Sequence, residues 1–265
     1  MKGVFKWVLC FLLLVGGLAC DLNSTEQLGK ELNEVYNEIA EGEVCEVLEL
    51  PDYQYTYSAN SWKKSREAAV RVEVDAGFGL VGGSGTYFKM GNQTVVVTAA
   101  HLYTFSPGII FKDEAIITTP HEKVVGTLVY IDRYVDIAVI KVPTLDSRKA
   151  SSFKRAKKLQ VGTDVVYSGF PGANNLLTFG GVLIGEGFGT DVAMQSVAWP
   201  GSSGSGVFDV NGNFVGVVSA IMVGHGVDGR QLVESVVYVA PANLIDSRQL
   251  KANLARHGRA LNEGF

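Results

Sequence analysis

Trp199-Pro200-Gly201-Ser202-Ser203-Gly204-Ser205-Gly206-Val207-Phe208 sets three serines among glycines directly ahead of an apolar run. A reactive hydroxyl needs a sharply bent backbone that exposes its oxygen and turns two main-chain N–H groups toward one point, and glycine permits that bend. Ser203 has the better frame, with Gly201 two residues before it and Gly204 directly after. Ser205 ranks second, because a serine occupies the earlier position. Standing alone, a Gly/Ser cluster between apolar segments is also what a plain flexible turn looks like.

Two upstream stretches decide between these readings. A serine hydroxyl is a weak nucleophile until a base takes its proton and a third group orients the base. Gln93-Thr94-Val95-Val96-Val97-Thr98-Ala99-Ala100-His101 is a β-branched strand that delivers a histidine at its mouth. Asp136-Ile137-Ala138-Val139-Ile140-Lys141-Val142 places an acid at the head of another apolar strand. The order His, Asp, Ser is one of three known to assemble the same triad geometry. Asp132 is a rival acid one turn earlier, whereas His121, His225 and His257 lack comparable surroundings.

These stretches resemble the signatures of trypsin-like serine peptidases, and within them the bacterial HtrA/Deg branch. Val97-Thr98-Ala99-Ala100-His101 is similar to the family's histidine motif, the Asp136 strand to its aspartate motif, and residues 199–206 to its serine motif. Val161-Gly162-Thr163-Asp164-Val165-Val166-Tyr167-Ser168-Gly169-Phe170-Pro171-Gly172 resembles the strand and turn that open the family's second barrel. The likeness runs from Ala68 to Leu254. It implies an all-β fold of two six-stranded antiparallel barrels, with an N-terminal amphipathic helix and a C-terminal helix. The expected peptidase domain spans residues 66–257. It reads as the protease core without a PDZ module. Ser202 stands where trypsin keeps an aspartate for a newly cut N-terminus, so that mode of activation is not expected. Ser205 and Gly206 replace the usual Gly-Pro, a variation in which Ser205 is similar to the last serine of the G-N-S-G-S-P motif of glutamyl endopeptidases.

In this reading Ser203 attacks a peptide carbonyl, His101 takes and returns the proton, and Asp136 fixes the imidazole tautomer. The backbone N–H groups of Gly201 and Ser203 form the oxyanion hole. The resemblance assigns the walls of the primary pocket to Val197, Ala198, Ala220 and Ile221, all uncharged, which predicts a small or medium aliphatic side chain at the cleavage site. No cofactor and no metal enter this chemistry. The partners expected are protein or peptide substrates. Two alternatives stay open: a catalytically inactive binding module on the same fold, and a narrow processing protease of viral type.

Composition agrees with this class. The chain has 265 residues, 31 glycines and many valine runs, enough apolar content for a sizeable all-β core. A net charge of −4 offers nothing that would attract nucleic acid or an anionic membrane. Met1, Lys2 and Lys6 followed by the apolar stretch Trp7–Leu14 read as an export signal over residues 1–19, too short to span a bilayer, which needs about 20 apolar residues. Gly17 and Ala19 permit cleavage before Cys20, so envelope attachment through lipidated Cys20 and free secretion are both open. Cys10, Cys20 and Cys45 make neither a disulfide framework nor a metal motif.

Residues 20–65 read as an amphipathic helix, opened by the capping-box spacing Ser24-Thr25-Glu26-Gln27 and carrying Leu28, Leu32, Val35, Tyr36 and Ile39, then a loop from Leu50 to Ser65. Gly77-x-Gly79-x-x-Gly82 matches a dinucleotide fingerprint on paper, but a strand follows it where a helix is required, so it is assigned to a hairpin turn. The basic segment Ser147–Lys158 reads as a linker between barrels, and Pro241 as the opening of the terminal helix.

Overall fold

The first strand shows how the sequence writes the fold. In β1 (Ala69–Asp75), Val70, Val72 and Val74 are fully buried, while Arg71, Glu73 and Asp75 between them reach solvent, the period of two of a strand with one dry face. The computed structural model describes residues 59–260 apart from 78, 105–111, 174 and 227–228. The chain divides into two units, Met1–Gln54 and Tyr55–Phe265, and every described residue belongs to the second. The export signal, Cys20, Cys45 and the helix expected near Ser24 lie outside the described residues.

The first barrel is built from β1, β2 (Leu80–Met90), β3 (Gln93–Ala99), β4 (Glu114–Thr118), β5 (Lys123–Asp132) and β6 (Ile137–Val142). Their order is β1-β4-β5-β6-β3-β2, and antiparallel pairing of β1 with β2 closes the ring. The two-residue β7 (Ser151–Ser152) adds parallel to β2. The second barrel contains β8 (Asp164–Gly169), β9 (Leu177–Glu186), β10 (Val192–Gln195), β11 (Gly206–Asp209), β12 (Phe214–Gly226) and β13 (Gly229–Pro241). It is closed in the order β10-β13-β12-β11-β8-β9. The expected fold of two six-stranded antiparallel barrels is therefore what the chain adopts, and Gly77 and Gly79 lie in the β1–β2 hairpin turn.

Each barrel has a dry interior, Val72, Tyr87, Val96 and Ile140 in the first and Tyr167, Leu183, Met194 and Val237 in the second. A third cluster joins the two. Phe88 of β2 meets Phe214 of β12 at 4.8 Å between ring centroids and Phe153 of the linker edge-on at 5.2 Å. Aromatic contacts of this kind hold the barrels at a fixed seam.

Two expectations need correction at the ends. The loop expected from Leu50 to Ser65 gives way at residue 59 to helix α1 (Ala59–Ala68). It lacks an apolar stripe because much of its inner face bonds through hydroxyls. Ser61 Oγ donates to the Asp209 and Val210 carbonyls, both at 2.9 Å, and Ser65 Oγ donates to Ser168 Oγ at 2.8 Å. The terminal helix α2 (Ser247–Ala260) begins six residues after Pro241, which instead precedes a 3-10 turn, Ala242–Leu244. The start is set by Asp246, whose carboxylate accepts the N–H groups of Arg248 and Gln249. The two helices cross over. Helix α1 packs on the second barrel and leads into the first, whereas α2 leaves the second barrel and fastens to the first through Asn253 Nδ2 to the Val129 carbonyl, 2.8 Å, and Gln93 Nε2 to the Leu254 carbonyl, 3.2 Å.

Candidate active site

Strand β3 stops at Ala99, and a 3-10 turn over Ala100–Tyr103 swings the next side chains out of the sheet. Ala100, Leu102 and Tyr103 are buried, which leaves the His101 side chain facing the seam, 41 % exposed. Antiparallel pairing of Ala99 with Ile137 brings Asp136, just ahead of β6, against this turn. Asp136 grips His101 twice: Oδ1 accepts the His101 backbone N–H at 2.8 Å, and Oδ2 lies 2.8 Å from Nδ1. The Asp136 carbonyl accepts the Ala100 N–H at 3.2 Å. With Nδ1–H held by a carboxylate, which only accepts, Nε2 is left as the basic nitrogen. Asp136 adopts φ +61°, a left-handed conformation that costs energy in a non-glycine residue and is kept where the surroundings impose it. The rival Asp132 is spent on its own turn, accepting the N–H groups of Tyr134 and Val135.

The serine cluster resolves by burial. Ser202 is 1 % exposed and Ser205 fully buried, with a hydroxyl that has no hydrogen-bond partner, whereas Ser203 is partly open. The loop is pressed onto β2 so closely that Gly204, at φ +87°, cannot carry a side chain: a Cβ would stand 2.1 Å from the Ser84 carbonyl oxygen and 3.0 Å from Ala99 N, two residues before His101. Two carbonyls in the loop are pinned by backbone donors, one outside the loop and one within it. Gly172 N–H holds the Pro200 carbonyl at 2.6 Å, and Ser205 N–H holds the Ser202 carbonyl at 3.0 Å. In a planar trans peptide the N–H points opposite to the C=O. Gly201 N–H and Ser203 N–H therefore point away from those donors, and among the described residues neither meets a protein acceptor. No hydrogen bond joins the Ser203 hydroxyl to the His101 imidazole.

A family model for the trypsin-like peptidase domain matches residues 83–217, half of the chain. The chain belongs to this family. Similar curated proteins include the serine protease Do-like HtrA of Lactococcus lactis subsp. cremoris (strain MG1363), 22 % identical over 207 residues that make up 72 % of this chain and 48 % of the relative. The chain thus spans about half the length of the curated relatives it matches. Among solved structures, the serine endoprotease from Yersinia pestis superposes with a TM-score of 0.56 at 16 % identity, covering 72 % of this chain and 65 % of that one. The active form of the Rv3671c protease from M. tuberculosis gives 0.53 at 20 % identity, with 74 % and 82 % covered. These likenesses speak for the fold.

In this trypsin-like peptidase a cavity of about 300 Å³ opens beside Ser203. Its walls are Ala198, Trp199, Pro200, Val218, Ala220 and Ile221, with Ser202, Ser203 and Ser219 as the polar lining, and no charged side chain takes part. Of the four expected pocket residues, Ala198, Ala220 and Ile221 line it. Val197 does not: its carbonyl receives the Tyr167 hydroxyl and its side chain is 37 % exposed outside the cavity.

Sequence reasoning missed two features. Ser219 Oγ donates to Asp136 Oδ2 at 2.6 Å, so the carboxylate is oriented from the second barrel as well as the first. Nothing marks this serine within its valine-rich strand. Asp191, half-buried near the same centre, has its pKa pushed up to about 6, first by burial and then by the charge of Asp136. A like charge at that range is visible only once β10 and β6 are folded.

Proposed function

We propose that the chain is a serine endopeptidase. Ser203 Oγ attacks the substrate carbonyl while its proton passes to His101 Nε2. The tetrahedral adduct expels the amine, which takes that proton, and water then hydrolyses the Ser203 ester by the reverse path. Asp136 holds the imidazole and stabilises its charged form. The observation that carries this reading is the double grip of Asp136 on His101, on the turn against which the loop of the one solvent-open serine is packed. The freely pointing N–H groups of Gly201 and Ser203 support an oxyanion hole at their meeting point. Hydroxyl and imidazole then come into hydrogen-bond contact when substrate fills the cleft, as such contacts tighten on binding.

The uncharged walls of the cavity favour a small or medium aliphatic side chain on the acyl side of the cut bond. The export signal over residues 1–19 assigns the enzyme to the envelope or the cell exterior, lipid-anchored at Cys20 or free. Among the described residues no helix is long and apolar enough to cross a membrane. The mass of the mature N-terminus separates the two forms.

A serine-directed fluorophosphonate tests the chemistry. The parent and Ser205→Ala should label, and Ser203→Ala should not. Labelling that survives in Ser203→Ala, or a folded parent that stays unlabelled, removes the peptidase reading and favours a binding module. A peptide library reads the pocket, and dominant cleavage after Lys, Arg or Glu overturns the aliphatic preference.

A further inference from the structure

Ser84 lies in β2 of the first barrel and is fully buried, yet most of its polar contacts lead into the second barrel. Its N–H donates to the Ser203 carbonyl at 2.8 Å, its hydroxyl donates to the Gly201 carbonyl at 2.7 Å, and the same oxygen accepts the Phe170 N–H at 2.9 Å. Its own carbonyl takes the Thr98 hydroxyl at 2.6 Å. Every polar group of the residue is thus engaged within the protein.

We propose that Ser84 is a positioning residue that sets the oxyanion hole across the barrel seam, an inference that rests on the serine-peptidase reading. The two N–H donors belong to the peptides 200–201 and 202–203, whose carbonyls Gly172 and Ser205 hold from the second barrel. The peptides that follow each donor residue, 201–202 and 203–204, are held at both sides: Ser84 takes their carbonyls across the seam, while Ser202 N–H and Gly204 N–H donate to the Trp199 and Val218 carbonyls at 2.9 and 2.7 Å. With the planes on both sides of a Cα fixed, neither dihedral at that residue is free. Gly201 needs this most. At φ +95° it sits where only glycine is relaxed, and glycine unrestrained turns easily to other conformations. Releasing the Gly201 carbonyl leaves the 201–202 plane on the 2.9 Å bond from Ser202 N–H to the Trp199 carbonyl, a tie within the same loop, and the aim of the Gly201 N–H loosens. The Phe170 bond ties the segment that carries Gly172 to the same hydroxyl, so one oxygen steadies both supports of the Pro200–Gly201 peptide.

The test is Ser84→Ala in the full chain, with Ser65→Ala as a control that removes another buried hydroxyl bond, one that does not touch the loop. Steady-state peptide cleavage and the affinity of a peptide boronate, which mimics the tetrahedral adduct, are measured with thermal unfolding. In Ser84→Ala, kcat and boronate affinity should fall together by about tenfold to a hundredfold, with KM within about threefold. In Ser65→Ala stability alone should drop. Parental kcat and boronate affinity in Ser84→Ala overturn the proposal, as does an equal loss of both in Ser65→Ala. If Ser84→Ala shows no cooperative unfolding, the same readouts are taken on Ser84→Cys, whose weak S–H donor should give an intermediate kcat. Parental values there overturn it equally. Retained labelling in Ser203→Ala is a different failure, that of the peptidase reading itself.

Discussion

Gly201→Ala is the sharpest perturbation of the loop. A Cβ at this position would stand 2.7 Å from the Phe170 carbonyl oxygen and 3.2 Å from Gly172 N, both backbone atoms that cannot swing aside, and φ +95° is itself strained for alanine. Relief requires the loop to back away from Phe170 and Gly172, which breaks the 2.6 Å bond from Gly172 N–H to the Pro200 carbonyl and turns the Gly201 N–H. Loss of one oxyanion donor costs about 2.7–4 kcal/mol of transition-state stabilisation, or about a hundred- to a thousandfold in kcat. The donor acts on charge that develops only in the transition state, so KM should stay within about threefold. The conformational cost alone is about 1–2 kcal/mol, a shift of a few degrees in Tm, so the variant remains folded for the assay. Initial rates on a chromogenic peptide over a range of concentrations give the two constants, and circular dichroism gives the Tm. A kcat within about threefold of the parent, or a loss confined to KM, would refute the assignment of Gly201 N–H as a donor.

Three further outcomes follow from the same geometry. Ser205→Ala removes a fully buried hydroxyl without a partner, so Tm should hold or rise and peptidase activity should stay within about twofold; a lost hydrogen bond would instead cost about 1 kcal/mol and lower the Tm. The Asp191 carboxyl binds its proton more tightly in the fold than the ordinary value of 3.8 allows, so its contribution to stability is complete in acid and is lost as pH rises through about 6. Asp191→Asn should therefore raise Tm over the parent by an amount that grows between about pH 4 and 6 and is level above about 7; a pH-independent difference would argue against a raised pKa. Phe214→Ala empties the seam between the barrels, and a loss of about 3–5 kcal/mol is expected in urea titration, with less than about 1.5 kcal/mol counting against the seam as a core.

The parts of this molecule legible in the sequence are those written in short-range periodicity. Val70, Val72 and Val74 announce a strand, and the polar residues His101 and Asp136 stand out because each interrupts an apolar run at its end. What stayed hidden depends on partners far along the chain. Helix α1 buries Ser61 and Ser65 against main-chain and side-chain oxygens of the second barrel, so its sequence has no apolar stripe to find. Ser84 and Ser219 are ordinary strand serines until folding sets them against Gly201 and Asp136. Family resemblance puts both Val197 and Ala198 in the pocket, and only the fold shows that of the two Ala198 alone lines it. Pro241 is a sound helix opener by type, yet the chain after it closes only a short 3-10 turn, and the helix waits for the charged cap that Asp246 supplies to Arg248 and Gln249.

The crossed straps have a mechanical result. Because α1 is fastened to the barrel it precedes by one, and α2 to the barrel it has already left, prising the halves apart would strip a helix from each. A hinge between them has no soft point. Any adjustment of the cleft between resting and working forms is therefore left to side chains, while the frame beneath keeps its width.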